Sequence, residues 1–147
     1  MYRPDDLGLL LPSFQPVANR ILFEMRELGY DPCPFDTLRT PAEAAKNFAR
    51  GVGSKNSMHL YGAAMDVICN RHGWGCSASG CRFFADYGLV VEALGMVWGG
   101  RWARHDLVHV QCVAFADQAR FRALRPEFRD SFVAPRCTSS TATPALR

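Results

Sequence analysis

Two histidines and two aspartates are the residues whose types and spacing point most directly to chemistry. His59 and Asp66 lie in one segment with Gly62 between them, and Asp106 and His109 follow in a second segment. Two His and one Asp suit a catalytic zinc ion, which takes three protein ligands and keeps one position for water. The remaining carboxylate can accept a proton from that water. These residues predict a zinc hydrolase with His59, Asp66 and His109 as ligands and Asp106 as general base.

Local structure must bring the ligands to one face. The odd separation of His59 and Asp66 would place them on opposite faces of a regular strand, and Gly62 permits the turn or bulge that corrects this. We predict a buried strand over residues 63–69, in which an unpaired Asp66 would be costly without a cation. A second strand is expected over residues 109–113, with its first side chain pointing where Asp66 points.

Each of these residues also has an ordinary interpretation. A single His beside apolar residues is more often a core or surface histidine, and Asp66 could simply accept backbone hydrogen bonds. Short motifs taken singly often match by chance. The metal interpretation therefore depends on the four residues together.

The same residues carry a resemblance to a known family. Three motifs are involved, Ser-x-His-x-x-Gly-x-Ala-x-Asp at residues 57–66, Trp-Gly-Gly-x-Trp at 98–102 and Asp-x-x-His at 106–109. Together they resemble the zinc peptidases of bacterial cell walls, which include VanY-type D-alanyl-D-alanine carboxypeptidases and the L-alanyl-D-glutamate peptidases used as phage endolysins. Leu38-Arg39-Thr40 matches the Arg-Thr segment of that family, and the resemblance runs from about Leu10 to Val113.

The resemblance implies further site residues. Arg39 would contact the substrate carboxylate or the developing oxyanion, for which a guanidinium fork is well suited. Ser57 would bind substrate, and Trp102 would lie beside the metal in the wall of the cleft. Arg39 thus joins Asp106 as a catalytic residue.

The resemblance also implies a substrate class, the stem peptides of peptidoglycan. An L-alanyl-D-glutamate endopeptidase of the endolysin type is favoured, with a D-alanyl-D-alanine carboxypeptidase as the alternative. A third alternative is a non-catalytic, zinc-containing module that binds the cell wall, because related folds such as the Hedgehog signalling domain keep the same ligands without this chemistry.

Length and charge bound the remaining possibilities. The 147 residues suffice for one domain, which we place at residues 1–135, with a disordered tail at 136–147. The net charge of +3 is too small and scattered to indicate a nucleic-acid partner.

We expect a monomer that does not insert into membranes. No signal peptide is evident near Met1, so we expect the product to stay in the host cytoplasm until a phage holin releases it onto the wall.

The six cysteines leave a question about redox state. Cys69, Cys76 and Cys81, with His72, could form a second metal site, but their spacings fit no zinc ribbon or finger. For a cytosolic product we expect free thiols, with Cys69 and Cys112 packed as small apolar groups.

Hydrophobic periodicity predicts the elements that must position the site. Helices are expected at about residues 15–28, 41–50, 83–94 and 115–124, the second of them starting at a capping box formed by Thr40 and Glu43. Short strands are expected at 35–38 and 96–98. The second helix should bury one face, made of Ala42, Ala45, Phe48 and Ala49. The fold class predicted is α+β, a small antiparallel sheet carrying the zinc site and packed with helices, of the Hedgehog and DD-peptidase type.

Overall fold

A four-stranded antiparallel sheet forms the centre of the fold in the computed structural model, which describes residues 5–76 and 80–139. The strands are β1 (Pro32–Asp36), β2 (Ala64–Cys69), β3 (Val97–Trp98) and β4 (His109–Gln111). Their order across the sheet is β1-β2-β4-β3, and every neighbouring pair is antiparallel. The predicted α+β class is confirmed, and β2 and β4, the two inner strands, carry two of the three predicted ligands.

Helices pack around this sheet. They are α1 (Gln15–Glu27), α2 (Pro41–Ala49), α3 (Phe83–Ala93), α4 (Gln118–Ala123) and α5 (Pro126–Ser139). The apolar stripe of α1 is buried as its spacing predicts, and α1 contacts both α3 and β1. Tyr87 and Phe83 of α3 are fully buried in the resulting core. Across residues 5–76 and 80–139, none of the helices is both long enough and apolar enough to cross a bilayer.

Helix α2 begins where its sequence signals place it, but it buries a different side chain from those predicted. The Thr40 and Glu43 capping box is formed in both directions. Of the residues of α2, Ala44 is the one buried, while Phe48 is 45% exposed and lies under the Lys55 ammonium group. The prediction that Phe48 and its three alanine companions face inward is therefore wrong. Helix α2 is a surface helix at the side of the site.

Two other boundaries differ from the prediction. Strand β1 starts at Pro32, three residues before the expected start, and its pairing with β2 is irregular between Pro34 and Asp36. Helix α5 was not predicted, and it runs through Pro135 to residue 139, beyond the expected start of a tail at 136. Cys137 at its end is 2% exposed, so this part of the chain belongs to the core. Residues 140–147 lie outside the described residues.

Candidate metal centre

The three predicted ligands reach one point from two strands and one turn. Asp66 and His109 are direct partners in the register between β2 and β4, so their side chains leave the sheet on the same side. His59 lies in a 3₁₀ turn (Met58–Tyr61), which Ser57 caps through its side-chain oxygen and which ends at Gly62 in the left-handed region, with φ of 66°. The turn inferred from Gly62 is therefore present, and it orients His59 toward the strands.

The ligand atoms of the three side chains lie as close together as they would around one ion. His59 Nε2 and His109 Nδ1 each lie 3.1 Å from Asp66 Oδ1, and they lie 3.2 Å from one another. All three residues are buried. Ligand atoms about 2.0–2.1 Å from a tetrahedral zinc ion lie roughly 3.3 Å apart, so the three donors fit zinc in both type and spacing.

The outer partners of the two imidazoles fix their tautomers. His59 Nδ1 lies 2.9 Å from the Thr37 carbonyl oxygen, and His109 Nε2 lies 3.0 Å from Gln111 Oε1. The Gln111 amide nitrogen donates to the Val113 carbonyl oxygen at 2.6 Å, which sets which end of the amide faces His109. Each ring must donate its proton outward, so two nitrogen lone pairs and a carboxylate oxygen face one another. Such a group is stable when a cation lies between its members.

The electrostatics of the three residues favour a positive charge among them. Burial alone would raise the pKa of Asp66, but the two imidazoles outweigh it and lower that pKa well below its ordinary value. Burial would lower the pKa of His109, yet the hydrogen bond and charge of Asp66 raise it. The lowered pKa of Asp66 and the raised pKa of His109 both indicate that a positive charge, whether a proton or a metal cation, is stabilised between these side chains.

Asp106, the predicted general base, lies at the edge of this centre. Its backbone N–H donates to the Gly99 carbonyl oxygen at 3.0 Å, and its own carbonyl oxygen accepts from the His109 N–H at 3.3 Å. A Cβ atom on Gly99 would lie 2.5 Å from that carbonyl oxygen and 3.2 Å from the His109 Cβ. The absence of a side chain at Gly99 thus lets Asp106 pack beside His109.

The protein's own groups raise the pKa of Asp106. Burial is the largest cause and Asp66 contributes, against the opposing effect of His109. A raised pKa brings the carboxylate nearer to the range useful to a group that accepts and returns a proton.

Arg39 and Ser57 lie beside the ligands. Arg39 Nη2 is 3.6 Å from Asp66 Oδ2, and Arg39 Nη1 is 3.4 Å from Ser57 Oγ. The guanidinium is held by Asp36, which accepts from Arg39 Nε at 2.9 Å and from Nη2. Sequence reasoning missed Asp36, and an acidic residue three positions before Arg39 was the available signal.

A cleft of about 1060 Å³ opens over the centre. Trp102 forms part of its wall, with its ring centroid 5.1 Å from that of His109. His105 also lines the cleft but is exposed, and its Nδ1 lies 3.0 Å from the Gly100 carbonyl oxygen. Trp98, by contrast, is a packing residue whose indole N–H donates to the Leu107 carbonyl oxygen at 2.9 Å.

Comparisons with known proteins agree with this geometry. Residues 50–112 match the model of a family described as D-alanyl-D-alanine carboxypeptidase, a segment that contains all three ligands and Asp106. The fold is similar to that of the L-Ala D-Glu endopeptidase ChiX of Serratia marcescens, with a TM-score of 0.61 and 23% sequence identity over 76% of this chain and 85% of that chain. No curated protein matches the chain in sequence. The resemblance to VanY-like peptidases predicted from the motifs is confirmed.

Proposed function

Since the segment that carries the motif matches the D-alanyl-D-alanine carboxypeptidase family, we propose that this protein is a zinc-dependent peptidase that hydrolyses peptidoglycan stem peptides. The observation that carries the proposal is the convergence of two imidazole lone pairs and the Asp66 carboxylate at 3.1–3.2 Å, with the half-buried carboxylate of Asp106 nearby. A structural zinc site closes its coordination with four protein ligands, whereas three ligands facing a cleft suit catalysis.

The residues of the chain then take distinct parts in amide hydrolysis. Zinc held by His59, Asp66 and His109 would act as a Lewis acid and lower the pKa of bound water to about 7. Asp106 accepts a proton from the attacking water and returns it to the leaving amine. Arg39, positioned by Asp36, offsets the negative charge that develops on the scissile carbonyl oxygen or holds a substrate carboxylate.

The remaining site residues orient the substrate. Ser57 lies within reach of Arg39, so a peptide carbonyl or carboxylate bound there would meet two donors together. Trp102 offers an apolar wall next to His109 and excludes water from one side of the reacting bond. We assign both residues to substrate binding.

Within this class we favour cleavage of the L-alanyl-D-glutamate bond. The fold is similar to that of a protein described as an L-Ala D-Glu endopeptidase over most of both chains. The description of the matching family favours the second candidate, a D-alanyl-D-alanine carboxypeptidase. In the endolysin role that accompanies the first candidate, the protein acts as a monomer on the wall after release from the host cytoplasm.

Digestion of purified peptidoglycan tests these assignments. The zinc-loaded protein is incubated with walls, and the new termini are identified by mass spectrometry, with a chelator-treated sample and the Asp106→Ala variant as controls. New D-glutamate amino groups support the endopeptidase, and released D-alanine supports the carboxypeptidase. Zinc retention and wall binding with no cleavage would instead support the non-catalytic binding module.

A further inference from the structure

Three cysteine sulfurs converge at the end of β2 and in the loop that follows it, on residues that take no part in the proposed catalysis. The Sγ atoms of Cys69, Cys76 and Cys81 all lie within 4.8 Å of one another. Cys69 and Cys76 are 3% and 0% exposed, and Cys81 is half-buried. Cys76 and Cys81 form a disulfide, which leaves Cys69 as a buried free thiol next to the pair. The expectation of free thiols is therefore wrong for these two residues, because the fold places their Cα atoms 5.3 Å apart.

Backbone hydrogen bonds of residues 69–76 and 81–83 shape the part of this loop that the structure describes. The Cys69 carbonyl oxygen accepts from the N–H groups of His72 at 3.2 Å and Gly73 at 2.6 Å, which turns the chain sharply back. The Cys81 N–H donates to the Cys76 carbonyl oxygen at 3.2 Å. The Phe83 N–H lies 3.4 Å from Cys81 Sγ and donates to it, an interaction that would stabilise a thiolate there once the disulfide is reduced. The geometry thus gathers the sulfurs even though their spacing along the chain fits no common zinc motif.

We propose that the loop binds a second metal ion of the thiophilic class, represented by Zn²⁺, through Cys69, Cys76 and Cys81 when all three are reduced. A disulfide uses two of the three sulfurs, whereas a metal uses all of them. His72 lies three residues after Cys69 in the same loop and its side chain is exposed, so we include its imidazole as the fourth donor of the proposed site. Three thiolates and one imidazole form a standard structural zinc set.

The reduced form is reached by ordinary thiol chemistry. A thiol reductant supplies two electrons and two protons, which break the Cys76–Cys81 bond and leave two thiols. Zinc binding then displaces one proton from each of the three thiols. The oxidised and metal-bound forms of the loop therefore exclude each other, and the redox state of the compartment selects between them.

The ion would fix two features of the neighbouring site. Trp74, in the same loop, packs edge-to-face on Phe35 with ring centroids 5.1 Å apart, and both rings line the cleft. Cys69 is the last residue of β2, three residues after the ligand Asp66. The ion would thus hold one wall of the cleft without touching the reacting atoms.

Metal counting on the full chain tests the proposal. Wild-type protein is reduced with a phosphine under anaerobic conditions, loaded with zinc, desalted and analysed by elemental mass spectrometry, beside an oxidised sample. We expect a second zinc ion per chain in the reduced protein and its loss in the oxidised one. Cys69→Ser should lose the second ion, and the matched control Cys33→Ser, at a half-buried free cysteine in β1, should keep it.

Cobalt distinguishes this site from the catalytic one. Co²⁺ bound to the reduced wild type should show a sulfur-to-cobalt charge-transfer band, which should persist in His59→Ala and vanish in Cys69→Ser. His72→Ala should weaken cobalt retention at least tenfold, and unchanged retention would overturn its place in the ligand set. A single zinc ion in reduced wild type, or a cobalt complex without the sulfur band, would overturn the second site whether or not the first one binds. If Cys69→Ser does not fold, the comparison of reduced with oxidised wild type decides alone.

Discussion

His59 and His109 are prepared for a metal by the groups behind them. The Thr37 carbonyl oxygen accepts a hydrogen bond from His59 Nδ1–H, and Gln111 Oε1 accepts one from His109 Nε2–H, while the Gln111 amide donates to the Val113 carbonyl oxygen. Such outer partners typically change metal affinity by about 10–100-fold when they are removed. The ligands are therefore ordered before an ion binds, and little entropy is lost when it does.

The raised pKa of His109 predicts how zinc binding depends on pH. A proton and zinc compete for His109 Nδ1. The pKa of His109 lies above its ordinary value of 6.5 because the hydrogen bond and charge of Asp66 outweigh burial. As the pH is lowered, zinc affinity should therefore start to decrease before pH 6.5 is reached, and below that pH it should decrease by at least about tenfold per pH unit. A competing chromophoric chelator between pH 8 and pH 5 measures this. An affinity that stays constant to pH 5.5 would contradict the ligand assignment.

Asp106 should be needed for turnover and dispensable for metal binding. Asp106→Ala should retain stoichiometric zinc while wall hydrolysis falls by about 10²–10⁴-fold, the usual contribution of general acid–base catalysis. Zinc content and initial rates of wall clearing are measured on the same preparation. Glu27→Gln, an exposed change at the end of α1, serves as the control and should leave both unchanged. Full activity in Asp106→Ala would exclude it as the base.

At the scale of elements, the turn that carries His59 depends on Gly62. Its φ of 66° is in the left-handed region, and an added Cβ would lie 2.6 Å from the Leu9 carbonyl oxygen. Gly51 has a similar φ of 72° with no atom within 4 Å of such a Cβ, so it isolates the cost of backbone strain.

Replacing each of the two glycines by alanine should lower the free energy of unfolding by different amounts. Gly51→Ala should lower the free energy of unfolding by about 1–2 kcal/mol, the cost of a left-handed L-residue. Gly62→Ala should cost that amount plus about 1–3 kcal/mol for the steric conflict. Urea denaturation of the oxidised protein measures both. Equal losses in the two variants would show that the close approach to Leu9 is relieved without cost.

Elements with local signals could be predicted, and those that depend on distant partners could not. The capping box fixed the start of α2, and Gly62 indicated the turn before β2, because both signals act within a few residues. Periodicity could not show that the rest of the chain leaves Phe48 uncovered. Helix α5 was missed because Pro135 predicts an interruption, since it removes a backbone donor, yet the helix continues through it.

The site divides in the same way. The convergence of His59, Asp66 and His109 could be predicted because their residue types and spacing are themselves typical of a metal site, and their roles as ligands stay a prediction. Gln111 was missed because an amide in a strand has no distinctive local pattern, and its role arises only from its contact with His109. Asp36 was missed although its position three residues before Arg39 could have indicated the ion pair. The Cys76–Cys81 pairing was missed because the loop geometry is not encoded in spacing.

For the whole molecule, zinc should be a major source of stability. An ion that binds only the folded chain stabilises it by about 4 kcal/mol when its free concentration is a thousand times Kd. For a chain of this size that corresponds to a rise in Tm of about 8–16 °C. Calorimetry of oxidised protein with zinc and with chelator measures the difference. His109→Ala should show almost none, and an equal shift in that variant would place the stabilising ion elsewhere.

The amino-terminal segment, through Asp6 and Leu11, supports the predicted ligand His59, which lies about fifty positions further along the chain. The Leu11 N–H donates to the Gly62 carbonyl oxygen at 2.9 Å, just behind the turn that holds His59. The buried Thr37 hydroxyl donates to the Asp6 carbonyl oxygen at 3.0 Å, while the Thr37 carbonyl oxygen orients the His59 ring. A polypeptide trimmed to residues 50–112 would keep every metal donor and lose both of these supports. The smallest fragment that orders the His59 ring must therefore extend beyond residues 50–112, the segment that the family model matches.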